Sequence, residues 1–284
     1  MIFKKTIKAL RLAEVLLMTG FILIGAIFAI PNNSEILWVE LIAVSISSYL
    51  LMLSVYTTNS LLGYELDKKN NRLKNLNFIS KPIYTISTII FYGISLIICI
   101  FIKPESVILH FTIFVLWFLY GMPGFGKHLP IVGTIIHILV AVVQFNFAYM
   151  FLAPISEVSV FISIFFALLI SGGHLHHEII DYEADKLNKI KTSTVKWGVK
   201  NTKYFSFSIF VIAHSYWCLL LITGYIELFW FISFFGGFLI HLGMFISKGT
   251  KFENNYQARL KYRLIYRIVY FICGLIVALQ IMFF

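Results

Sequence analysis

Nine long apolar runs in the sequence restrict the fold more than any other feature. A helix needs about 20 consecutive apolar residues to cross a bilayer, whereas the strands of a membrane β-barrel would alternate over about ten residues. Because these runs are long and continuous, we predict an all-α fold, a bundle of nine transmembrane helices. The predicted helices cover residues 10–30, 36–58, 83–102, 106–121, 130–153, 157–176, 204–223, 226–247 and 264–284.

The composition agrees with a membrane protein. Only 13% of the 284 residues are charged, against about 25% in soluble domains. The first apolar run is too long for the hydrophobic region of a signal peptide and lacks a small-residue cleavage site. The three cysteines all lie in apolar runs without metal or redox spacing, which is typical of small buried residues. We predict one membrane domain over residues 1–284, and no required protein partner is evident.

The positions of the basic residues predict the orientation in the membrane. With nine helices, all but one of the 23 lysines and arginines lie on the same side, the exception being Lys103. Lysine and arginine accumulate on the cytoplasmic side of membrane proteins, so we expect a cytoplasmic N-terminus. The net charge of +10 then follows from topology and from contact with anionic lipid, and it does not call for nucleic-acid binding.

Two long polar segments follow the second and sixth predicted helices, at residues 59–82 and 174–203. Each begins with acidic residues and then becomes basic, so we predict two cytoplasmic Asp-rich loops. Their matching positions after even-numbered helices hint at a duplicated four-helix unit, although the repeat is weak in the sequence.

The first acidic motif reads NSLLGYELD and covers residues 59–67. Residues four apart share one face of a helix, so Asn59, Gly63 and Asp67 line one stripe. The second motif, residues 177–185, reads HEIIDYEAD and places Asp181 and Asp185 on a common face. In each motif the oxygen-bearing side chains therefore lie on one side of the helix.

These oxygen ligands suit magnesium. Mg²⁺ usually binds through one or two carboxylates together with substrate phosphates, and two such half-sites facing each other could hold a diphosphate from both sides. The metal would neutralise the leaving diphosphate as its carbon–oxygen bond breaks. We expect basic residues downstream to supply further phosphate contacts. The candidate metal-binding and catalytic residues are Asn59, Asp67, Asp181 and Asp185, and the candidate phosphate contacts are Arg72, Lys74 and Lys191.

A less specific interpretation is that such acidic residues are only solvated loop. Two clusters at predicted helix ends, each followed by basic residues, favour a functional site. The histidines His174, His176 and His177 resemble a zinc cluster, but no further ligand is spaced to join them. We expect them instead to hydrogen-bond near Asp181 or to contact the diphosphate. The glycines at 172–173 predict a break in the sixth helix.

Two segments resemble the UbiA superfamily of membrane prenyltransferases. Residues 181–194 (DYEADKLNKIKTST) are similar to the second Asp-rich motif of that family and its Lys-Thr stretch, and Tyr120-Gly-Met-Pro123 followed by Lys127 resembles its Tyr-x-x-Pro and Lys element. The resemblance implies nine membrane helices, Mg²⁺, and a geranyl, farnesyl or geranylgeranyl diphosphate substrate. It also implies that Tyr120 and Lys127 contact the diphosphate.

The first motif departs from the family pattern Asn-Asp-x-x-Asp-x-x-x-Asp. Ser60 and Gly63 stand where the two inner aspartates are expected. The resulting pattern, Asn-x-x-x-Gly-x-x-x-Asp with an intact second motif, is similar to UbiA-type terpene cyclases, which ionise a prenyl diphosphate and close rings within its chain. A weakened metal site in an ordinary prenyltransferase is the other interpretation.

The acceptor side bears on this choice. Family members that prenylate hydroxybenzoate carry an aspartate seven residues before the second motif's first aspartate, and here that position is His174. We therefore predict a terpene cyclase, with an intermolecular prenyltransferase as the alternative. A transporter is a third possibility, but the charged motifs lie at the membrane edge. Aromatic faces stabilise carbocations, and the candidate pocket residues are Tyr56, Gly63, Phe145, Asn146, Tyr149, His174 and His177.

Overall fold

The structure is a computed structural model that describes residues 10–30, 37–67 and 80–283. Those residues form nine long helices and no β-strand, which confirms the predicted all-α class and helix number. A short helix, Tyr64–Asp67, follows the second long helix, and 3₁₀ turns at Pro104–Ser106 and Gly126–His128 flank the fourth. The long helices are α1 (Leu12–Phe28), α2 (Trp38–Leu62), α3 (Lys81–Ile102), α4 (Val107–Gly121), α5 (Val132–Leu152), α6 (Glu157–Leu187), α7 (Ser193–Ile222), α8 (Leu228–Asn254) and α9 (Tyr256–Phe283).

Eight of the described helices are long and apolar enough to cross a membrane. The exception is α1, which has 17 residues and whose apolar stretch, Met18–Phe28, is shorter than the roughly 20 residues of a full span. The outer surfaces of the helices are apolar as well. Phe101 on α3 is 81% exposed and Ile222 on α7 is 82% exposed. Such exposed apolar rows are unfavourable in water and suit a lipid environment.

The helices group into two compact units. The first contains α1 to α4 and the part of α5 from Val143 onward, and its helices approach closely at small residues. A Cβ on Gly25 of α1 would overlap the carbonyl group of Phe145 on α5. Ser95 on α3 has its Oγ 3.0 Å from Oγ of Ser47 on α2 and 2.8 Å from Nε2 of His110 on α4. Small residues and shared hydrogen bonds are the usual means of packing membrane helices.

The second unit contains the beginning of α5, up to Val142, together with α6 to α9. Its core includes Ile179 on α6, Phe210 on α7 and Tyr262 on α9, all buried. A hydrogen bond of 2.8 Å joins Nε2 of His241 on α8 to the hydroxyl of Tyr262. Polar groups in this core therefore pair with one another between helices.

The sixth helix does not break at its glycine pair, so that prediction is wrong. Helix α6 continues through Gly172 and Gly173 to Leu187. The reason is close packing against α7: a Cβ on Gly172 would lie 2.6 Å from Cε2 of Phe210, and the Ser206 hydroxyl donates to the Gly172 carbonyl at 2.8 Å. Gly172 therefore allows α6 and α7 to pack closely, and α6 stays helical at this position.

The second acidic segment is consequently helical, and not the long loop that the sequence predicted. Helix α6 ends at Leu187 and α7 begins at Ser193, which leaves residues 188–192 between them. The predicted start of the seventh helix at residue 204 is also wrong, because α7 already begins at Ser193 and carries Lys196, Lys200 and Lys203. Gly198, with φ 81°, introduces a kink near the start of α7.

Candidate active site

The first acidic motif lies at the C-terminal end of α2. Gly63 caps this helix with φ −87° and ψ 2°, and its N–H donates to the Asn59 carbonyl at 2.9 Å. This φ is negative, so the backbone does not require glycine at this position. Asp67 ends the short helix Tyr64–Asp67, and its side chain lies outside the described part of the structure. The predicted stripe therefore has no side chain at Gly63, one turn beyond Asn59.

Asn59 and Lys127, both predicted site residues, come together in the first unit. The Lys127 ammonium donates to Oδ1 of Asn59 at 3.4 Å. Two glycines make this contact possible. A Cβ on Gly121 would lie 3.0 Å from the same Oδ1, and Gly126, with φ 43°, sits where a Cβ would collide with the backbone of Tyr120. The tight turn after α4 thus directs Lys127 back towards the end of α2.

The other residues predicted near the first motif are Tyr120, Arg72 and Lys74, and Glu65 lies within the motif itself. Tyr120 lies on α4, with its ring 5.4 Å from that of Trp117 in an edge-to-face arrangement. Arg72 and Lys74 lie outside the described residues. Glu65, the carboxylate that remains in the middle of the motif, forms an exposed ion pair of 3.0 Å with Lys81 at the start of α3. Exposed pairs of this kind contribute little to stability.

The second acidic motif occupies the last turns of α6. Asp181 and Asp185 lie one turn apart, and Nδ1 of His177 is 3.3 Å from Oδ2 of Asp181. The helix then stops at a left-handed residue, Lys189, with φ 57°. The Ile190 N–H donates to the Asp185 carbonyl at 2.9 Å, which is the hydrogen bond of a Schellman motif. This cap fixes the backbone that carries Asp185.

The link from α6 to α7 is short and well capped. Lys191 is exposed within it. The Thr192 hydroxyl accepts from the Val195 N–H at 3.3 Å, as expected for an N-cap. Lys191 therefore lies between two fixed helix ends, six residues after Asp185 in the sequence.

His174 lies in a buried polar cluster. Its Nε2 is 3.2 Å from Oε1 of Glu178, and the two side chains are 4% and 6% exposed. Oε2 of Glu178 accepts from the Thr194 N–H at 3.1 Å, at the start of α7. The ring of His137 on α5 stacks on His174 with centroids 3.8 Å apart. The cluster ties three helices of the second unit together.

Sequence reasoning missed Glu178 and Arg259. Glu178 lies four residues after His174, a spacing that places both on one helix face and that could have identified the pair. Nη1 of Arg259, near the start of α9, donates to both carboxylate oxygens of Glu183 at 3.1 and 3.2 Å. The same atom donates to the Ile179 carbonyl at 3.2 Å. The available signal for Arg259 was a charged residue next to a membrane span.

The predicted pocket residues of the first unit are mostly enclosed by other side chains. Phe145 is 2% exposed and Asn146 5% exposed, both on α5. The ring centroids of Phe145 and Tyr149 are 6.3 Å apart. The guanidinium of Arg11 lies 5.0 Å from the ring centre of Tyr56 on α2. Their role in a substrate pocket stays a prediction.

The sequence matches a known family over most of its length. The sequence model of the UbiA prenyltransferase family matches residues 18–266. This chain belongs to the UbiA prenyltransferase family. With its eight span-length apolar helices, it is an integral membrane protein. No curated protein matches this UbiA sequence.

Solved structures with the same fold confirm the UbiA-like architecture. One, from work on the biosynthesis of digeranylgeranylglyceryl phosphate synthase in membranes, has a TM-score of 0.73 at 18% identity, covering 98% of both chains. A UbiA homologue from Archaeoglobus fulgidus bound to GPP and Mg²⁺ has a TM-score of 0.71 at 18% identity, covering 96% of this chain and 99% of that one. An apo UbiA homologue from Aeropyrum pernix K1 has a TM-score of 0.68 at 12% identity, covering 92% and 98%.

The donor atoms of this UbiA protein fit Mg²⁺ bound together with a phosphate ligand. Among the residues that the structure describes, no three His, Cys, Asp or Glu side chains form a metal cluster by themselves. Asp181 and Asp185 offer two carboxylates in the second unit, and Mg²⁺ commonly uses one or two with substrate phosphates. In the first unit, Oδ1 of Asn59 accepts a hydrogen bond from Lys127 at 3.4 Å, and an amide oxygen is of the type that hard cations take as ligands.

Proposed function

We propose that this UbiA protein is a class I terpene cyclase, a Mg²⁺-dependent membrane enzyme that ionises a prenyl diphosphate and cyclises its chain. The observation that carries the proposal is Gly63. It follows Asn59 by one turn, in the stripe that would hold metal, and its backbone geometry does not require glycine. The backbone therefore does not account for the missing carboxylate, and the resulting motif resembles that of UbiA-type terpene cyclases.

Four side chains would hold the metal in this proposal. Asn59 and Asp67 come from the end of α2 and the short helix after it, and Asp181 and Asp185 come from the end of α6. The bound Mg²⁺ would supply positive charge to the leaving diphosphate. The structures of the Archaeoglobus fulgidus homologue bound to GPP and Mg²⁺ and to DMAPP and Mg²⁺ support Mg²⁺ and a prenyl diphosphate as the bound groups.

Basic and hydroxyl groups would bind the diphosphate itself. We assign this role to Lys127, which already turns towards Asn59, and to the exposed Lys191 after α6. Charge-assisted hydrogen bonds from lysine and arginine to phosphate are about twice as strong as neutral ones. The further candidates from the sequence are Tyr120, Arg72 and Lys74.

The apolar part of the site would stabilise the carbocation. Phe145 and Tyr149 on α5 present neighbouring aromatic rings, and ring faces stabilise positive charge. Tyr56, Asn146 and His177 are further candidates for this lining. Exclusion of water by apolar helices would prevent early capture of the cation.

We further propose that the acidic motifs face the cytoplasm. All but one of the 23 lysines and arginines fall on the same side as these motifs when the nine helices alternate, and this side is cytoplasmic by the positive-inside rule.

The proposal is tested by incubating the purified protein with Mg²⁺ and geranyl, farnesyl or geranylgeranyl diphosphate, without an acceptor. We expect a cyclic hydrocarbon or terpene alcohol in a hexane extract. Asp181→Asn should lower turnover by at least about 100-fold, the upper end of the effect of losing a partner around a metal site, while the protein elutes as a folded species. A folded Asp181→Asn protein with full turnover would contradict the metal assignment.

Intermolecular prenyl transfer is the second candidate, because membership of the UbiA prenyltransferase family favours it directly. The buried setting of His174 weighs against an aromatic acceptor that would need a base at this position, since His174 packs against Glu178 and His137. Adding aromatic and isoprenoid-like acceptors to the same assay separates the two. Diphosphate release that occurs only with an acceptor present would replace the cyclase proposal with this one.

A further inference from the structure

We infer that Arg259 is a positioning residue for the second acidic motif, an inference that rests on the proposed metal role of Asp181 and Asp185. From the start of α9, Arg259 holds the final turns of α6 and thereby sets the direction in which the two aspartates point. It does not touch the metal or the substrate itself.

The contacts of Arg259 enclose the turn of α6 that carries Asp181. Its Nη1 donates to the Ile179 carbonyl at 3.2 Å and to both oxygens of Glu183 at 3.1 and 3.2 Å. Ile179 and Glu183 are four residues apart and share a face. Asp181 lies midway between them, and at 3.6 residues per turn this places it on the opposite side of the helix. Arg259 therefore contacts the side of this turn that is opposite to the proposed metal ligand, Asp181.

The burial of Arg259 is not explained by the stability of its ion pair. Arg259 is 4% exposed, whereas the Glu183 side chain is 63% exposed. A pair with one partner in solvent contributes little, and burying a guanidinium is costly unless it is fully hydrogen-bonded. A role that requires a defined geometry accounts for a charge retained at this position.

The helix that carries Arg259 is itself fixed on both sides of this residue. The Asn255 side chain caps α9 by accepting from the N–H groups of Gln257 and Ala258 at 2.9 and 3.2 Å. One turn beyond Arg259, the Tyr262 hydroxyl lies 2.8 Å from Nε2 of His241 on α8. Arg259 thus connects α6 to an anchored helix.

The test compares Arg259→Gln with a matched control, Lys261→Gln, in the full-length detergent-purified protein. Lys261 is exposed on the same helix, so the control removes the same charge without the buried contacts. Binding of Mn²⁺ in the presence of inorganic diphosphate is measured by electron paramagnetic resonance, and kcat and KM for the prenyl diphosphate are measured in parallel. Asp181→Asn serves as the reference for loss of a proposed ligand.

We expect Arg259→Gln to weaken Mn²⁺ binding about tenfold and to lower kcat by a similar factor, as for other residues that orient metal ligands. KM should change much less, Arg259→Lys should recover part of both losses, and Lys261→Gln should resemble the wild type. Glu183→Gln, at a mostly exposed site, should shift Mn²⁺ binding in the same direction. If Arg259→Gln does not fold, Glu183→Gln replaces it in the test.

Two results would overturn the inference or its basis, and they are distinguishable. Wild-type Mn²⁺ affinity and kcat per folded molecule in Arg259→Gln, or in Glu183→Gln where the first variant does not fold, would show that Arg259 does not position the motif. If Asp181→Asn loses Mn²⁺ binding in the same experiment, the proposed function still stands. Wild-type Mn²⁺ binding in Asp181→Asn would instead contradict the proposed metal site, and with it the inference.

Discussion

Asn59 occupies a position where a metal ion and a lysine would compete for one oxygen. Lys127 donates to its Oδ1 at 3.4 Å, and Gly121 leaves room for the amide because it has no Cβ. If Asn59 is a metal ligand, as we propose, we expect Lys127 to move away from this oxygen when Mg²⁺ binds, because the two cations repel each other, and its ammonium is then available to the diphosphate. Metal and diphosphate binding would be coupled through this one contact.

Gly63 is the residue on which our proposal of a cyclase over a prenyltransferase is based. An aspartate there would add a carboxylate one turn from Asn59, and its charge would attract Lys127 away from the diphosphate. We expect Gly63→Asp to lower the yield of cyclised product about tenfold, which corresponds to about 1.4 kcal/mol in the activation free energy. Gly63→Ala should keep most of the activity, because φ −87° accepts a Cβ.

This prediction is measured by gas chromatography of hexane extracts at saturating substrate. Each variant is compared at equal amounts of folded protein. A Gly63→Asp enzyme that cyclises as well as the wild type would show that the missing carboxylate has no part in product choice.

At the residue scale, the sequence predicted those parts of the candidate site that are local in the chain. The spacing of Asp181 and Asp185 predicts a shared helix face, and the structure has that geometry. The contacts of Glu178 with Thr194 and of Arg259 with Glu183 join residues far apart in sequence. Such pairs depend on how helices pack, which the spacing of motifs does not contain.

At the scale of elements, α6 shows why helix ends are difficult to predict in a membrane protein. Gly172 and Gly173 suggested a break, and the lysines that follow suggested a loop, but both segments are helical. Lysine side chains can extend their charge away from an apolar helix surface. Others are buried: Lys203 is 3% exposed, and its ammonium lies 4.6 Å from the ring centre of Tyr204, a cation–π contact that allows a lysine inside a helix bundle.

The two glycines of α6 should differ in their tolerance of alanine. A Cβ on Gly172 would lie 2.6 Å from Phe210, whereas a Cβ on Gly173 would meet only the Tyr266 hydroxyl at 3.4 Å. Phe210 is 1% exposed and cannot move freely, so Gly172→Ala should destabilise the protein by about 1–3 kcal/mol, as overpacking does. Gly173→Ala should be neutral or slightly stabilising, because alanine is favoured over glycine within helices.

Thermal unfolding in detergent, followed by the loss of the folded peak in size-exclusion chromatography, measures both variants. If the glycines served mainly to loosen the helix, the two alanine variants would shift the unfolding temperature alike. That result would contradict the close-packing explanation.

For the whole molecule, the number of helices was predictable because the thickness of the bilayer imposes a length on each apolar run. The weakest helix of the pattern is α1, with 17 residues, and the predicted side of the N-terminus depends on counting it as a span. The basic residues that follow α1, except Lys103, stay on the side of the acidic motifs whether or not α1 crosses the membrane. The proposed cytoplasmic position of the acidic motifs therefore rests on those residues.

Single-cysteine labelling in intact cells tests the proposed orientation directly. In a background without Cys99, Cys218 and Cys273, we expect a membrane-impermeant thiol reagent to label Glu105→Cys, which lies in the exposed turn between α3 and α4. Lys196→Cys, exposed on α7, should react only after permeabilisation. The positive-inside rule places these two positions on opposite sides of the membrane. The reverse pattern would place both acidic motifs outside the cell, where the enzyme would lack access to a cytoplasmic prenyl diphosphate.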